Sequence, residues 1–170
     1  KGSIGLDPFK RILKHGRDFP KYADMAEQVI NSVSELPGYR VLMADAFMLN
    51  NAGSYITQEL GFALAWGNEW LSVLTDKGLS VDKVANRIKF NFGISSNYFM
   101  EMAKFRAARM LWAQIVSAYK PNCDCASKIE MHAQTSRFNM TIYDAHVNLL
   151  RSQTETMSAA LAGVNSITVT

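Results

Sequence analysis

The sequence alternates short apolar runs with long segments of helical periodicity, and this alternation restricts the fold more than any other feature. Residues 39–44 form one such run, whereas residues 22–35 carry apolar side chains at helical spacing, among them Met25 and Ile30. Strands are predicted at residues 2–6, 39–44, 88–92, 128–132 and 166–169. Helices are predicted at residues 22–35, 52–75, 80–84, 96–119 and 142–162. Strands and helices that alternate in this way favour parallel strands with crossover helices.

The predicted fold class is therefore α/β, built from parallel βα units. Four or five such units make about half to five-eighths of an eight-stranded barrel, or else a doubly wound open sheet, and the pattern alone leaves both open. Ser80 is the predicted N-cap of the short helix, and Gly163 is predicted to end the last one. The 170 residues fit one domain, without a linker or an internal repeat.

Composition and charge exclude several classes of protein. The net charge of +3 is small and both signs are spread along the chain, so no nucleic-acid-binding face is predicted. No run of about 18 apolar residues is present, which excludes a transmembrane helix. The first residues lack the apolar core of a signal peptide. These features predict a cytoplasmic protein.

The two cysteines, Cys123 and Cys125, are separated by a single residue. This spacing disfavours a disulfide between them and provides no disulfide framework, as expected of a cytoplasmic protein. Together with His132 they could be considered as metal ligands, but structural zinc uses a wider spacing and a second pair of ligands. We therefore expect a loop here and no metal site.

The carboxyl ends of the predicted strands are the candidate site, because parallel α/β folds bind their ligands there. Phosphate-binding glycine loops and the nucleophile elbow of serine hydrolases are absent from the sequence. His132 is the only histidine at such an end. It is interpreted either as a hydrogen-bond partner of a ligand or as a core histidine bonded to backbone carbonyls, and the sequence leaves both open.

Three segments resemble motifs of one enzyme family. Residues 101–112, EMAKFRAARMLW, are similar to the EIAKFRAARxLW motif of the methylmalonyl-CoA mutase family. Residues 132–136, HAQTS, resemble that family's H-[AT]-Q-T-[AS], and residues 159–166 resemble its AAVLGGTQS. Residues 5–8, GLDP, are similar to an earlier G-x-D-P. The segments follow in the family's order, so the resemblance covers nearly the whole chain.

The resemblance implies a TIM (β/α)8 barrel, of which residues 1–170 form a single fragment of the acyl-CoA-binding domain. In this family the acyl-CoA runs along the barrel axis, and adenosylcobalamin caps the carboxyl ends of the strands. The cobalamin-binding domain is expected to lie outside this chain, so no cofactor is expected on the fragment. Asp144 and His146 resemble the D-x-H of the cobalt-ligating loop, but Leu149 replaces its glycine, and His146 is predicted to lie on a helix surface.

The departures from the family motifs concern the reaction itself. Where catalytic chains have S-G-Y-H, this sequence has Asp45, Ala46, Phe47 and Met48. Phe47 lacks the hydroxyl of tyrosine, and Met48 has no N–H to donate to the thioester carbonyl. Losing one such donor costs about 2.7–4 kcal/mol in transition-state stabilisation. Hence no catalytic residue is assigned to this chain.

The resemblance also implies binding residues. Arg87 matches an arginine that meets CoA, although the neighbouring serine is replaced by Lys89. His132 and Gln134 match positions on the cofactor side, and Thr170 stands where the family has the asparagine that anchors the adenosyl group. The bulky residues 137–138, Arg-Phe, are expected to narrow the barrel mouth.

These substitutions imply the small, non-catalytic subunit of a heterodimeric mutase, which supports assembly with a large catalytic subunit. The alternatives are an active acyl-CoA mutase with an altered pocket, and an unrelated activity on the same fold. Four residues of the helix at 96–119 are interpreted either as interface or as packing against the barrel, namely Tyr98, Phe99, Met102 and Trp112. The fragment by itself is expected to self-associate through its unpaired edge strands.

Overall fold

Five parallel strands form the sheet in the computed structural model of the chain, which describes residues 2–16 and 20–170. The strands are β1 (Gly2–Leu6), β2 (Tyr39–Asp45), β3 (Ile88–Ile94), β4 (Met131–Thr135) and β5 (Ser166–Thr168). Their order in the sheet is their order in the chain, and every neighbouring pair is parallel. The sheet curls into a half-barrel with helices between the strands, so the barrel alternative is confirmed and the doubly wound sheet is not.

The helices cover the convex side of the sheet. They are α1 (Pro8–His15), α2 (Pro20–Ser32), α3 (Phe47–Asn51), α4 (Ile56–Asp76), α5 (Val81–Ala85), α6 (Tyr98–Ala118) and α7 (Ala145–Ala162), with a 3-10 helix at Asp124–Ser127. The Ser80 side chain accepts a hydrogen bond from Lys83 N, which confirms it as the N-cap of α5. Gly163 ends α7 with φ at +73°, as predicted. No helix of the described parts is long and apolar enough to cross a membrane.

Several predicted elements differ from those of the structure. The fourth strand spans Met131–Thr135 and not residues 128–132. Its second half is polar, so the apolar pattern of the sequence indicated a strand that begins and ends too early. The helix predicted at residues 52–75 begins at Ile56, after a turn in which Gly53 has φ at +85°. Helix α1 was not predicted, although Asp7 caps it and Pro8 occupies its first turn, a typical start signal.

Side chains alternate between the two faces of the sheet. On β3, Phe90 and Phe92 are fully buried under the helices, and Phe90 makes an edge contact with Trp112 of α6 at 4.8 Å between ring centroids. The packing interpretation of Trp112 is thereby confirmed, whereas Phe99 is 78% exposed and does not pack on the barrel. Met25 was expected on the packed face of α2 but is 46% exposed. The alternate residues of β3 lie on the concave face.

Candidate functional site

One row of polar residues crosses the concave face of the half-barrel. The strand register pairs Asp45 with Asn91, Asn91 with His132, and His132 with Ser166. Asn91 Nδ2 donates to Asp45 Oδ1 at 2.6 Å, and Lys10 Nζ of α1 donates to Asp45 Oδ2 at 2.6 Å. Asp45 is 5% exposed, so this ion pair is shielded from water on one side. The row starts at Asp45, the last residue of β2, and crosses the middle of β3 and the first residues of β4 and β5. The prediction that His132 lies at the carboxyl end of its strand was wrong, because β4 begins at Met131 and His132 is its second residue.

His132 is held by two hydroxyl groups of β5. Its Nδ1 lies 2.7 Å from Ser166 Oγ, and its Nε2 lies 3.1 Å from Thr168 Oγ1. Burial lowers the pKa of the imidazole, and the nearby Lys89 ammonium lowers it further. Both ring nitrogens are therefore used within the chain, although by side-chain hydroxyls and not by the backbone carbonyls that the core interpretation expected. Its predicted role towards a ligand stays a prediction.

Gln134 lies two residues after His132 on β4, on the same face of the sheet and nearer the carboxyl end. The strand register pairs it with Gly93 and with Thr168. Thr170 is bonded to the neighbouring strand: its backbone N–H donates to Thr135 Oγ1 at 2.9 Å, and the two hydroxyl oxygens lie 3.1 Å apart. Since Thr135 is fully buried on the helix side of β4, the Thr170 hydroxyl takes part in packing the strand end.

Phe47 and Met48 are the first two residues of α3, which follows β2 directly. Both are partly buried at the carboxyl end of the strand. A phenyl ring and a thioether carry no N–H or O–H group that could donate to a carbonyl oxygen. The structure therefore places these two residues where the resemblance put the catalytic pair, with side chains that cannot polarise a thioester.

Arg87 lies at the opposite end of the barrel, immediately before β3. Its guanidinium donates to the backbone carbonyls of Leu36 at 2.5 Å, Tyr39 at 2.8 Å and Val33 at 2.9 Å. The residue is 6% exposed, and burial lowers its pKa. These bonds fix the turn that enters β2. Three of the guanidinium N–H groups thus have partners within the chain. The predicted contact of Arg87 with CoA stays a prediction.

A buried charge cluster lies beside the carboxyl-terminal part of β3 and consists of Glu59 of α4 with Glu101 and Lys104 of α6. Lys104 Nζ lies 2.7 Å from Glu59 Oε2 and 2.5 Å from Glu101 Oε2, and all three side chains are fully buried. Burial raises the pKa of Glu59, although Lys104 acts in the opposite direction. Two carboxylates share one ammonium, so further hydrogen bonds are needed to compensate the buried charge.

The cluster completes the hydrogen bonding of β3 where β2 has ended. Glu59 Oε1 accepts from the Gly93 N–H at 2.6 Å, and Lys104 Nζ donates to the Gly93 carbonyl at 2.7 Å. Asn50 Nδ2 of α3 donates to Glu59 Oε2 at 3.1 Å. The cluster therefore connects α3, which carries Phe47 and Met48, to β3, α4 and α6.

The sequence patterns did not identify this cluster as a unit. Glu101 and Lys104 belong to the quoted family motif, but the motif gave no role for them. Glu59 shares the buried face of α4 with Ala63 and Gly67, at spacings of four residues. A carboxylate on an otherwise apolar helical face was the available signal.

Asp7 is a second buried carboxyl group near the concave face. Its side chain accepts from Lys10 N at 3.2 Å as the N-cap of α1. Burial raises its pKa to about 6, and the nearby Asp45 carboxylate contributes in the same direction. The cap residue Asp7 and the α1 residue Lys10 thus position a titratable acid and an ammonium group beside Asp45.

The prediction for the cysteines was wrong, because the structure joins Cys123 and Cys125 in a disulfide. The turn into the 3-10 helix brings their Cα atoms to 5.1 Å, which is within the range that a disulfide spans. Within residues 2–16 and 20–170, no group of three His, Cys, Asp or Glu side chains could hold a metal ion. His146 lies exposed in the first turn of α7, as predicted, and Asp144 caps that helix.

A parallel βα half-barrel with a polar concave face identifies the class of protein: the chain is part of a (β/α)8 barrel. The chain belongs to the methylmalonyl-CoA mutase family, since the profile described as Methylmalonyl-CoA mutase matches residues 1–170. Its relatives include proteins named methylmalonyl-CoA mutase small subunit, methylmalonyl-CoA mutase large subunit and methylmalonyl-CoA mutase.

Three relatives illustrate the similarity. The methylmalonyl-CoA mutase small subunit of Porphyromonas gingivalis is 58% identical over 169 residues, which are 99% of this chain and 27% of the relative. The small subunit of Streptomyces virginiae is 36% identical over 169 residues, with the same shares of 99% and 27%. The large subunit of Propionibacterium freudenreichii is 31% identical over 148 residues, 87% of this chain and 20% of the relative. The chain thus spans about a quarter of the length of these curated relatives.

Proposed function

We propose that this chain is part of the barrel domain of a methylmalonyl-CoA mutase small subunit, that it performs no chemistry, and that it supports assembly with a large catalytic subunit. The enzyme as a whole would interconvert methylmalonyl-CoA and succinyl-CoA. The 58% identity to a small subunit over nearly the whole chain supports this assignment, because the large subunit named above is only 31% identical.

The concave face carries the argument against catalysis. Lys10 and Asn91 both donate to Asp45, and His132 is bonded to Ser166 and Thr168. These side chains use their polar groups within the chain, so binding a substrate through them would require breaking such contacts, among them an ion pair whose carboxylate is nearly buried. Phe47 and Met48 would then offer no donor to the thioester. A catalytic site needs preorganised donors in that place.

The family uses adenosylcobalamin, and the residues of this chain do not fit its adenosyl group. Thr170 stands at the anchor position, but its backbone N–H and its hydroxyl are bonded to Thr135. Both nitrogens of His132 have partners within the chain. We therefore propose that His132 and Gln134 have a structural role in the sheet of this chain. The cofactor of the assembled enzyme would then be held by other parts of the enzyme.

The test is a mutase assay with the full-length protein, alone and mixed with the large subunit of the same organism. Adenosylcobalamin and methylmalonyl-CoA are supplied in each case. We expect no succinyl-CoA from the protein alone, activity in the mixture, and co-elution of the two chains as one complex. Turnover by this protein alone would instead establish the alternative, an active acyl-CoA mutase with an altered pocket.

A matched variant separates loss of the donors from the internal contacts of the concave face. Restoring the family's pair with Phe47→Tyr and Met48→His is expected to leave the isolated protein inactive, because the other polar residues of the face keep their partners within the chain. Activity gained by this double variant would show that the two substitutions alone silence the chain, and it would refute the proposed effect of these contacts.

A further inference from the structure

The two cysteines lie in an exposed turn between α6 and β4, far from the concave face in the chain's topology. Both Cys123 and Cys125 are exposed, and they are joined to each other across the single residue Asp124. The sequence contains two cysteines, so this pair accounts for both. The turn contacts α5 and α6 and is not part of the site described above.

The turn is shaped by hydrogen bonds that do not depend on the disulfide. The carboxylate of Asp82, in the first turn of α5, accepts from Cys123 N at 3.0 Å and from Asn122 N at 3.1 Å. Cys123 Sγ accepts from Cys125 N at 3.1 Å, and Asn86 Nδ2 lies 3.7 Å from Cys125 Sγ. Because these contacts hold the backbone, the two sulfur atoms stay within reach of each other when they are reduced.

A disulfide across one residue contributes little to folding stability. The entropy that a crosslink removes from the unfolded chain grows with the length of the closed loop, and this loop is the shortest that has a spacer residue. Exposed disulfides are also the ones that exchange with solution thiols, whereas structural disulfides resist reduction. Stabilisation of the fold therefore does not explain this pair.

We propose that Cys123 and Cys125 form a reversible dithiol–disulfide couple that exchanges with low-molecular-weight monothiols of the glutathione class. For oxidation, one cysteine thiolate attacks a sulfur of the oxidised monothiol, forms a mixed disulfide and releases one monothiol. The second cysteine thiolate then attacks the protein sulfur of the mixed disulfide and releases the second monothiol. Two electrons pass from the cysteines to the oxidised monothiol, and the two protons end on the released thiols.

N–H donors stabilise the thiolate that attacks, and each sulfur has one. A thiolate is the nucleophile in disulfide exchange, and hydrogen bonds to the charged form favour it. Cys125 N supplies the donor for Cys123, and Asn86 Nδ2 supplies it for Cys125. Asn86 also donates to the Asp82 carbonyl at 2.9 Å, so the end of α5 is coupled to the redox state of the turn.

The experiment equilibrates the reduced full-length protein with mixtures of reduced and oxidised glutathione, quenches with acid, and measures the mass of the acid-protease peptide that contains Cys123 and Cys125. We expect this peptide of the parent protein to change from a form with two thiols to one that is lighter by two hydrogen atoms, with little glutathione attached. Cys123→Ser and Cys125→Ser each leave one thiol in the peptide and are expected to accumulate the mixed disulfide with glutathione. Each variant keeps the exposed surface of the turn.

Asp82→Asn tests the preorganisation. One lost set of hydrogen bonds to the turn is expected to shift the equilibrium towards the dithiol by about fivefold. Two outcomes would overturn the proposal: two mixed disulfides on the parent protein, or two free thiols that persist in excess oxidised glutathione. A disulfide that reduced glutathione cannot open would refute its reversibility.

Discussion

The side chain of Asn50 lies directly over the backbone of Gly93. A Cβ atom at Gly93 would come within 2.5 Å of Asn50 Cβ and 2.6 Å of Asn50 Oδ1, distances that real Cβ atoms do not tolerate. Asn50 cannot move freely, because it is 5% exposed and its amide donates to the buried Glu59. The close approach lets α3 pack against the carboxyl-terminal end of β3.

Gly93→Ala is therefore expected to lower the free energy of unfolding by about 1–3 kcal/mol, the usual cost of overpacking a closed core. Gly61→Ala is the matched control, since Gly61 is an exposed helical residue and an added Cβ there would meet no atom within 4 Å. That change is expected to stabilise α4 by about 0.5–1 kcal/mol. Urea unfolding followed by tryptophan fluorescence measures both, and equal effects would contradict the close approach.

Lys104→Met leaves Glu59 and Glu101 buried without their counterion. The expected loss is about 3–5 kcal/mol of unfolding free energy, because breaking a buried ion pair exposes an uncompensated charge to a poorly polarisable interior. Lys77→Met is the control, since Lys77 pairs at the surface with Asp24 and Glu27, and its effect is expected to be small because solvent screens an exposed ion pair. Adding Glu59→Gln to Lys104→Met should recover part of the loss. Similar unfolding midpoints for the two lysine variants would refute the role of the cluster.

The raised pKa of Asp7 predicts a pH dependence of stability. Its folded pKa of about 6 exceeds the ordinary 3.8, so between these values the folded state binds more protons than the unfolded state. The contribution of this group to stability is thus greatest below about pH 4 and is lost as the pH rises through about 6. Asp7→Asn keeps an N-capping oxygen and is expected to remove this decline in the unfolding free energy.

Asp82 provides a contrast of opposite sign. Hydrogen bonds from Asn122 and Cys123 lower its pKa, so its contribution is present above the ordinary pKa and is lost as the pH falls through the lower folded value. In urea titrations between about pH 3 and 8, the difference in unfolding free energy between the parent protein and Asp82→Asn should shrink on acidification.

The same titrations test Asp7→Asn. If this variant leaves the pH profile of the parent protein unchanged, the burial of Asp7 is contradicted.

The 170-residue fragment is also predicted to self-associate. β1 and β5 are the two edges of the sheet, and each has one side without a partner strand among the described residues. Ile4→Lys places a charge on β1, at a residue that is 53% exposed, and is expected to weaken association about fivefold. Leu13→Lys adds the same charge to the exposed side of α1 and should have little effect. Sedimentation velocity measures both, and a parent fragment that stays monomeric at high concentration would contradict the prediction.

The parts of the fold that the sequence predicted are those with a local signal. The apolar runs of β2 and β3 and the caps Ser80 and Gly163 identify their elements without knowledge of neighbours. β4 was misplaced because its polar half faces the barrel interior, and only its neighbours on both sides make such residues part of a strand. Helix α1 was overlooked because it has only eight residues, although its apolar side chains recur at helical spacing.

The place of the site was predicted only in part, and its contacts were not predicted. Phe47 and Met48 follow the carboxyl end of β2 as expected, whereas His132 lies near the amino end of β4 and Arg87 at the opposite end of the barrel. The pairing of Asp45 with Lys10 depends on how α1 packs against β2, which no local pattern contains. Likewise, Glu101 and Lys104 look like ordinary charges of a surface helix, and their complete burial follows from the way α4 and α6 meet over β3.

The strand order of the sheet repeats the order of the strands in the chain. Each new strand is therefore laid beside the one made just before it, and no earlier strand has to open to admit a later one. During synthesis, the half-barrel can grow from β1 towards β5 as the polypeptide leaves the ribosome. In such growth the newest strand is always one of the two exposed edges, with β1 as the other, so the connectivity itself specifies the order of assembly.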